Sequence, residues 1–193
     1  MAEVLLFHHA LGLTAGCLSF ADGLRAAGHV VHAPDLFEGR TFAGLAEGVG
    51  HAEEIGFGTV LERGRLAAES VPREIVYAGF SLGGMPAQML AQTRPGAKGA
   101  LLFHSCVPPA EFGRAWPPGV PLQIHMMDGD EWALPPNEDL EAARELDATV
   151  EGAELFLYSG DGHLFAEEGQ PGYDQHAAAL LEQRVLGFLQ AVE

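Results

Sequence analysis

Ile75-Val76-Tyr77-Ala78-Gly79-Phe80-Ser81-Leu82-Gly83-Gly84, followed by Met85–Thr93, reads as an apolar strand that turns sharply into a helix. The turn sets Ser81 in the pattern G-x-S-x-G, and the strand before and helix after make it a candidate nucleophile elbow. A serine attacks well only when its hydroxyl is held in the open, beside a base and beside backbone N–H donors. A tight strand-to-helix turn supplies these conditions, at the expense of strained backbone at the serine and small neighbours two residues away. Gly79 and Gly83 are those neighbours, and Gly84 lets the helix pack closely. The helix also aims its unpaired N–H groups and positive dipole end at any oxyanion formed there. Glycine-rich turns of this shape also bind phosphate or simply pack; the flanking strand and helix favour the nucleophile.

Working outward, Val4–Phe7, Val30–His32, Ile75–Ala78, Ala100–Phe103, Leu122–Met126 and Leu155–Tyr158 read as six strands. Most are near-continuous apolar runs, as expected of a parallel sheet covered on both faces. Helical patterns alternate with them: Leu18–Ala27, Leu45–Glu54, Thr59–Ser70, Met85–Thr93, Glu138–Val150 and Gln175–Gln190. Gly28 stops the first and Pro95-Gly96 follows the fourth, while Asn137 and Asp174 are candidate N-caps for the last two. This rhythm implies an α/β fold, a mostly parallel sheet of about six strands flanked by helices on both faces, spanning residues 1–193 as one domain. In such sheets ligands collect beyond the carboxyl ends of the strands. The loops after Phe7, Ala78, Met126 and Tyr158 are therefore expected to open on one side. The Pro-rich stretch Val107–Pro121 reads as a surface loop.

The formal charge of −17, with Lys98 the only lysine, argues against binding nucleic acid or anionic membranes and repels anionic substrates at long range. No apolar run reaches the roughly 20 residues that span a bilayer, and Met1-Ala2-Glu3 lacks the basic start of a signal peptide, so a cytoplasmic location is expected. Cys17 and Cys106 form no disulfide framework and read as core residues.

An activated serine needs a histidine base, and a carboxylate to orient that histidine. On an elbow of this type the acid and then the base follow on later loops. His163, in Gly160-Asp161-Gly162-His163-Leu164-Phe165 after the last strand, is the expected base; His176 falls within the C-terminal helix. The acid comes from Asp128-Gly129-Asp130-Glu131. Asp130, followed closely by the bulky Trp132, is preferred, with Asp128 and then Glu131 behind it. Asp161 reads as a turn residue. Adjacent His8 and His9 point to opposite faces and cannot share an ion, and His104 and His125 read as satisfied polar residues near strand ends. No metal site is expected. Phe37, Phe42, Phe80, Trp132 and Phe165 are read as pocket walls or core.

Together Gly79-Phe80-Ser81-Leu82-Gly83-Gly84, Pro34-Asp35-Leu36-Phe37 and Gly160-Asp161-Gly162-His163-Leu164-Phe165 resemble the dienelactone hydrolase family of α/β hydrolases, over nearly the whole chain. The resemblance implies a minimal α/β-hydrolase fold whose first strand matches the family's third. It implies a triad of Ser81, Asp130 and His163, and an oxyanion hole from the N–H groups of Leu82 and Ala10. It further implies hydrolysis of a lactone or ester without a cofactor; a small ester, thioester or lactone is the expected substrate, and a monomer or homodimer the expected state. Three positions depart from the family pattern. Ser81 stands where dienelactone-cleaving members have cysteine, and His9 stands where they have a glutamate beside the nucleophile. Glu167 stands where an arginine holds the substrate carboxylate. Dienelactone itself is therefore not the expected substrate. His9, Phe80, Trp132, Phe165 and Glu167 are the pocket candidates. Two other readings fit the same residues: a non-catalytic protein of this fold that binds a ligand or partner, and an acyltransferase.

Overall fold

The computed structural model describes residues 1–113 and 115–192. Six strands, β1 (Glu3–Phe7), β2 (Val30–His32), β3 (Val76–Phe80), β4 (Gly99–Phe103), β5 (Leu122–Met127) and β6 (Ala153–Tyr158), form one parallel sheet in the order β2-β1-β3-β4-β5-β6. The helices are α1 (Ala15–Ala26), α2 (Leu45–Ile55), α3 (Phe57–Glu69), α4 (Gly84–Thr93), α5 (Asp139–Thr149) and α6 (Gln175–Ala191). Chain direction across the sheet reverses after β2. Right-handed crossovers then place α1 on one face and α2 to α5 on the other. The core divides accordingly. Leu5, Phe7, Tyr77, Leu102, Ile124 and Met126 point to the α2–α5 side, whereas Val4, Leu6, Val76, Leu101 and Phe103 meet α1 and α6. This is the α/β-hydrolase-like fold expected from the sequence.

The reversal lies between β1 and β3, the switch point at which loops diverge and leave a crevice. Gly83 sets the depth of that crevice. A Cβ there would sit 2.5 Å from the Phe7 carbonyl oxygen and 2.6 Å from that of His8, so the elbow rests directly on the end of β1. Gly48 does the same for α2, whose backbone meets the Ala10 carbonyl.

Several boundaries differ from the sequence reading: α1 begins at Ala15, three residues earlier, capped by Thr14, and α3 and β6 each begin two residues earlier. β3 runs to Phe80, two residues further, because Gly79 and Phe80 still pair with Leu102 and Phe103 before the chain turns. Asn137 does not cap α5: its side-chain amide donates to the Trp132 carbonyl at 3.0 Å, and Glu138 takes the cap position without a side-chain bond. Asp174 does cap α6, accepting the Ala177 N–H at 2.9 Å. No described helix is long and apolar enough to cross a membrane.

Candidate active site

Ser81 sits at the tip of the turn between β3 and α4 with φ +47°, a left-handed backbone that few non-glycine residues adopt. The geometry turns its side chain out of the helix line. Gly79 permits this, since a Cβ there would fall 2.0 Å from the Gly83 carbonyl oxygen. The Ser81 hydroxyl lies 2.7 Å from Nε2 of His163, and Nδ1 of His163 lies 2.7 Å from Oδ2 of Asp130. An ionised carboxylate only accepts, so Nδ1 carries the ring proton and Nε2 is left to accept the Ser81 O–H.

The acid loop distinguishes its three carboxylates. Asp130 is 1 % exposed, and its second oxygen accepts the Trp132 N–H at 2.9 Å. Asp128 is exposed and accepts the Gly160 N–H at 3.1 Å, tying the loop after β5 to the one after β6. Glu131 is exposed at the rim of the cleft. Asp161 is likewise exposed there, and Gly162 packs so closely on Gly172 that no side chain fits.

Two residues near the strand ends carry backbone N–H groups without a described acceptor. Leu82 lies in the first turn of a helix, where an N–H has no intrahelical acceptor. Ala10, 1 % exposed, follows β1, and no described hydrogen bond uses its N–H. The cleft beside His163 measures about 510 Å³ and is walled by Leu11, Leu45, Trp132, Leu164 and Gln170. The Trp132 ring stands 5.8 Å from that of His163. Glu131 and Asp161 add negative charge, and no lysine or arginine lines it among the described residues.

Of the pocket candidates, only Trp132 borders this cleft. Phe80, Phe165, His9 and Glu167 are buried behind it, on the α1–α6 side of the sheet. The reason is register: residues that end parallel strands alternate between faces, and Phe80 shares its face with Phe103. Phe37 is buried in the core on the other side.

His9 and Glu167, the two departures from the family pattern, contact each other. Glu167 accepts from His9 Nε2, and from Thr14 Oγ1 at 2.8 Å and Gln170 Nε2 at 3.0 Å. Burial raises the Glu167 carboxyl, but the His9, Thr14 and Gln170 bonds outweigh it and hold it below its ordinary value. The His9 ring faces opposite demands. Burial favours the neutral ring, whereas the bonds with Cys17 and Glu167 favour the protonated one. Yet the Leu11 N–H lies 3.2 Å from Nδ1 and needs that atom's lone pair. A proton on Nδ1 would face this donor, so the geometry favours the neutral ring, protonated on Nε2.

His9, Cys17 and Glu167 are also a trio of metal-ligating type, with donor atoms within 4.8 Å of one another. In this structure the three are joined by hydrogen bonds from His9 and Cys17 to Oε2 of Glu167. His8 points the other way, as expected. It donates from Nδ1 to the His9 carbonyl at 2.8 Å and accepts the Leu36 N–H at 2.9 Å, so Pro34-Asp35-Leu36-Phe37 braces the end of β1. His125 is satisfied by the Tyr158 hydroxyl at 2.9 Å and by Gln123.

His104 is not satisfied. It follows β4 at φ +69°, is 1 % exposed, and neither ring nitrogen has a partner. Its ring lies 5.9 Å from Phe80, 4.8 Å from Phe165 and 5.9 Å from His163. Burial holds it well below the usual histidine range, helped by His163, His9 and His125.

A family model for the dienelactone hydrolase family matches residues 1–193. No curated protein matches the chain significantly in sequence. Among solved structures, a dienelactone hydrolase-like promiscuous phosphotriesterase from metagenomic libraries superposes with a TM-score of 0.79 at 19% identity, covering 100% of this chain and 87% of its own. A dienelactone hydrolase from Anabaena variabilis gives 0.67 at 16% identity, covering 99% and 86%. A metagenome-derived lipolytic enzyme gives 0.64 at 16%, covering 98% and 94%. At these identities the likeness is one of fold, whereas the family model spans the entire sequence. The chain belongs to the dienelactone hydrolase family and, with it, to the hydrolases of the α/β fold.

Proposed function

We propose that this protein is a serine hydrolase that opens a small ester, thioester or lactone through an acyl-enzyme on Ser81. The observation that carries this reading is the unbroken line Ser81 Oγ, His163 Nε2, His163 Nδ1, Asp130 Oδ2, with both bonds at 2.7 Å. In the first step His163 takes the Ser81 proton as Oγ bonds to the carbonyl carbon, and the carbonyl oxygen becomes an oxyanion. The N–H groups of Leu82 and Ala10 receive it, and a donor of this kind is worth about 3 kcal/mol of barrier. Collapse breaks the bond to the leaving group, which takes the proton back from His163. Water, deprotonated by the same ring, then releases the acid and restores Ser81. Asp130 keeps the ring in the tautomer that both steps require.

The cleft favours a neutral or cationic substrate. Glu131 and Asp161 line it without a compensating cation, and Glu167 is sealed away from it. An anionic lactone such as dienelactone would meet repulsion from Glu131 and Asp161, with no arginine at position 167 to hold its carboxylate.

Intact-protein mass spectrometry after fluorophosphonate treatment tests the assignment. A single adduct mapping to Ser81, absent in Ser81→Ala and His163→Ala, is the expected result. No adduct on folded wild-type protein would favour a non-catalytic binder. Profiling should include phosphotriesters beside acyl esters and lactones, because one structural neighbour is a promiscuous phosphotriesterase. Added alcohols that divert the product would reveal acyl transfer.

A further inference from the structure

Glu167 lies four residues after His163 and is 7 % exposed. Its oxygens are held from two segments. His9 and Thr14 belong to the loop between β1 and α1, and Gln170 to the turn after His163. The carboxylate is therefore the knot between the segment that carries the candidate base and the segment that carries Ala10. Gly16 is shaped around it: a Cβ there would fall 2.2 Å from Glu167 Cγ.

His9 passes this restraint to the backbone. Its Nδ1 accepts the Leu11 N–H at 3.2 Å, and its carbonyl accepts the Gly12 N–H at 3.0 Å and His8 Nδ1 at 2.8 Å. Ala10 sits between His9 and Leu11, the two residues so joined. Gly83 presses on the Phe7 and His8 carbonyls from the elbow side. The peptide that presents the Ala10 N–H is thus fixed by a side-chain bridge on one flank and by the elbow on the other.

We propose that Glu167 and His9 are positioning residues, a buried bridge that sets the Ala10 N–H relative to Ser81. The inference rests on the serine-hydrolase reading of the site. Neither side chain borders the cleft, so each acts through the loop rather than on substrate. A carboxylate is required because every group facing it is a donor. An amide of the same size turns its own N–H groups toward at least one of them and releases the loop.

The test compares wild type, Glu167→Gln, His9→Gln and the double variant on one active ester, with melting temperatures recorded beside the kinetics. Each single change lowers kcat about 10- to 100-fold with KM within about twofold, the signature of a misplaced transition-state donor. A boronic acid, which becomes tetrahedral on Ser81, loses affinity in step with kcat/KM. The double variant is no slower than the worse single one, because both break the same bridge. Multiplying losses, a rise in KM without a fall in kcat, or an unchanged kcat would each overturn the proposal. If Glu167→Gln does not fold, Glu167→Asp decides: it keeps the charge, withdraws it by one methylene, and must give an intermediate loss rather than wild-type rates. Stoichiometric zinc in the purified protein would also overturn it, by giving His9, Cys17 and Glu167 an ion to hold. Wild type that neither hydrolyses esters nor labels at Ser81 would sink the hydrolase reading instead.

Discussion

Asp128 and Asp130 stand two residues apart in one loop, and only their burial and partners separate them. Asp130 is sealed and faces Nδ1 of His163, so Asp130→Asn presents an amide to a nitrogen that must carry the proton. The ring is then free to settle in the wrong tautomer, and kcat should fall by about 10⁴. Asp128→Asn keeps an acceptor for the Gly160 N–H and should leave kcat within a few-fold. Steady-state kinetics of the two variants on one ester is the check, and equal losses would remove Asp130 from its special place. At this scale the sequence disclosed what local chemistry demands. Ser81 and His163 announce themselves through glycine-flanked turns at strand ends. The sequence ranked Asp130 above Asp128 through the bulky Trp132, and three-dimensional distance separates the two outright. The bridge from His9 to Glu167 was out of reach of the sequence, since nothing local pairs residues 158 positions apart. His104 departs from its sequence reading for a related reason: apolar neighbours that leave its ring nitrogens alone come from β3 and from the loop after β6.

Elements meet here through glycines, and two of them separate close approach from mere composition. Gly83→Ala would drive a Cβ to 2.5 Å from the Phe7 carbonyl oxygen and 2.6 Å from that of His8, both backbone atoms that cannot swing aside. The elbow must then lift from β1, carrying Leu82 and Ser81 away from Ala10. A loss of about 2 kcal/mol or more in stability is expected, together with a fall in kcat of at least tenfold. Gly187 in α6 has no atom within 4 Å of its would-be Cβ, so Gly187→Ala should stabilise by about 0.5–1 kcal/mol through helix propensity alone. Urea denaturation of both variants tests the contrast, and a benign Gly83→Ala would mean the elbow tolerates displacement. Strand positions were legible because buried parallel strands are short unbroken apolar runs, and the helices because their amphipathic segments alternate with them. Two boundaries moved through tertiary pairing, while α1 began early through the local Thr14 cap. β3 kept its partners in β4 through Gly79 and Phe80, and Asn137 spent its amide on Trp132 instead of the start of α5.

Across the molecule, histidines are buried on both sides of the sheet, and this shapes the response to acid. Burial, partly offset by its bond to the His9 carbonyl, holds His8 down to about 4. Burial, with Arg184 nearby, holds His125 down to about 3, and His104 lies well below the usual range. In the unfolded chain each ring titrates near its ordinary value of about 6.5. Between about pH 6.5 and 4 the unfolded state therefore binds protons that the folded state refuses, and stability falls as pH falls. Each fully differing proton contributes about 1.4 kcal/mol per pH unit, so the three together approach ~4 kcal/mol per unit near pH 5. Glu167, held below its ordinary value, adds a further loss once the pH drops through its folded value. The net charge of −17 works the other way, since acid relieves self-repulsion, and about 0.5 M salt suppresses that contribution. Urea midpoints in such a buffer should drop steeply from about pH 6.5 to pH 5. His104→Phe, which removes one of the three rings while preserving an aromatic cage filler, should cut the slope by about a third. A midpoint that is flat across this range would mean the buried rings take up protons without unfolding. In that event the environment around His104, beneath the proposed base, is wetter than its apolar neighbours imply.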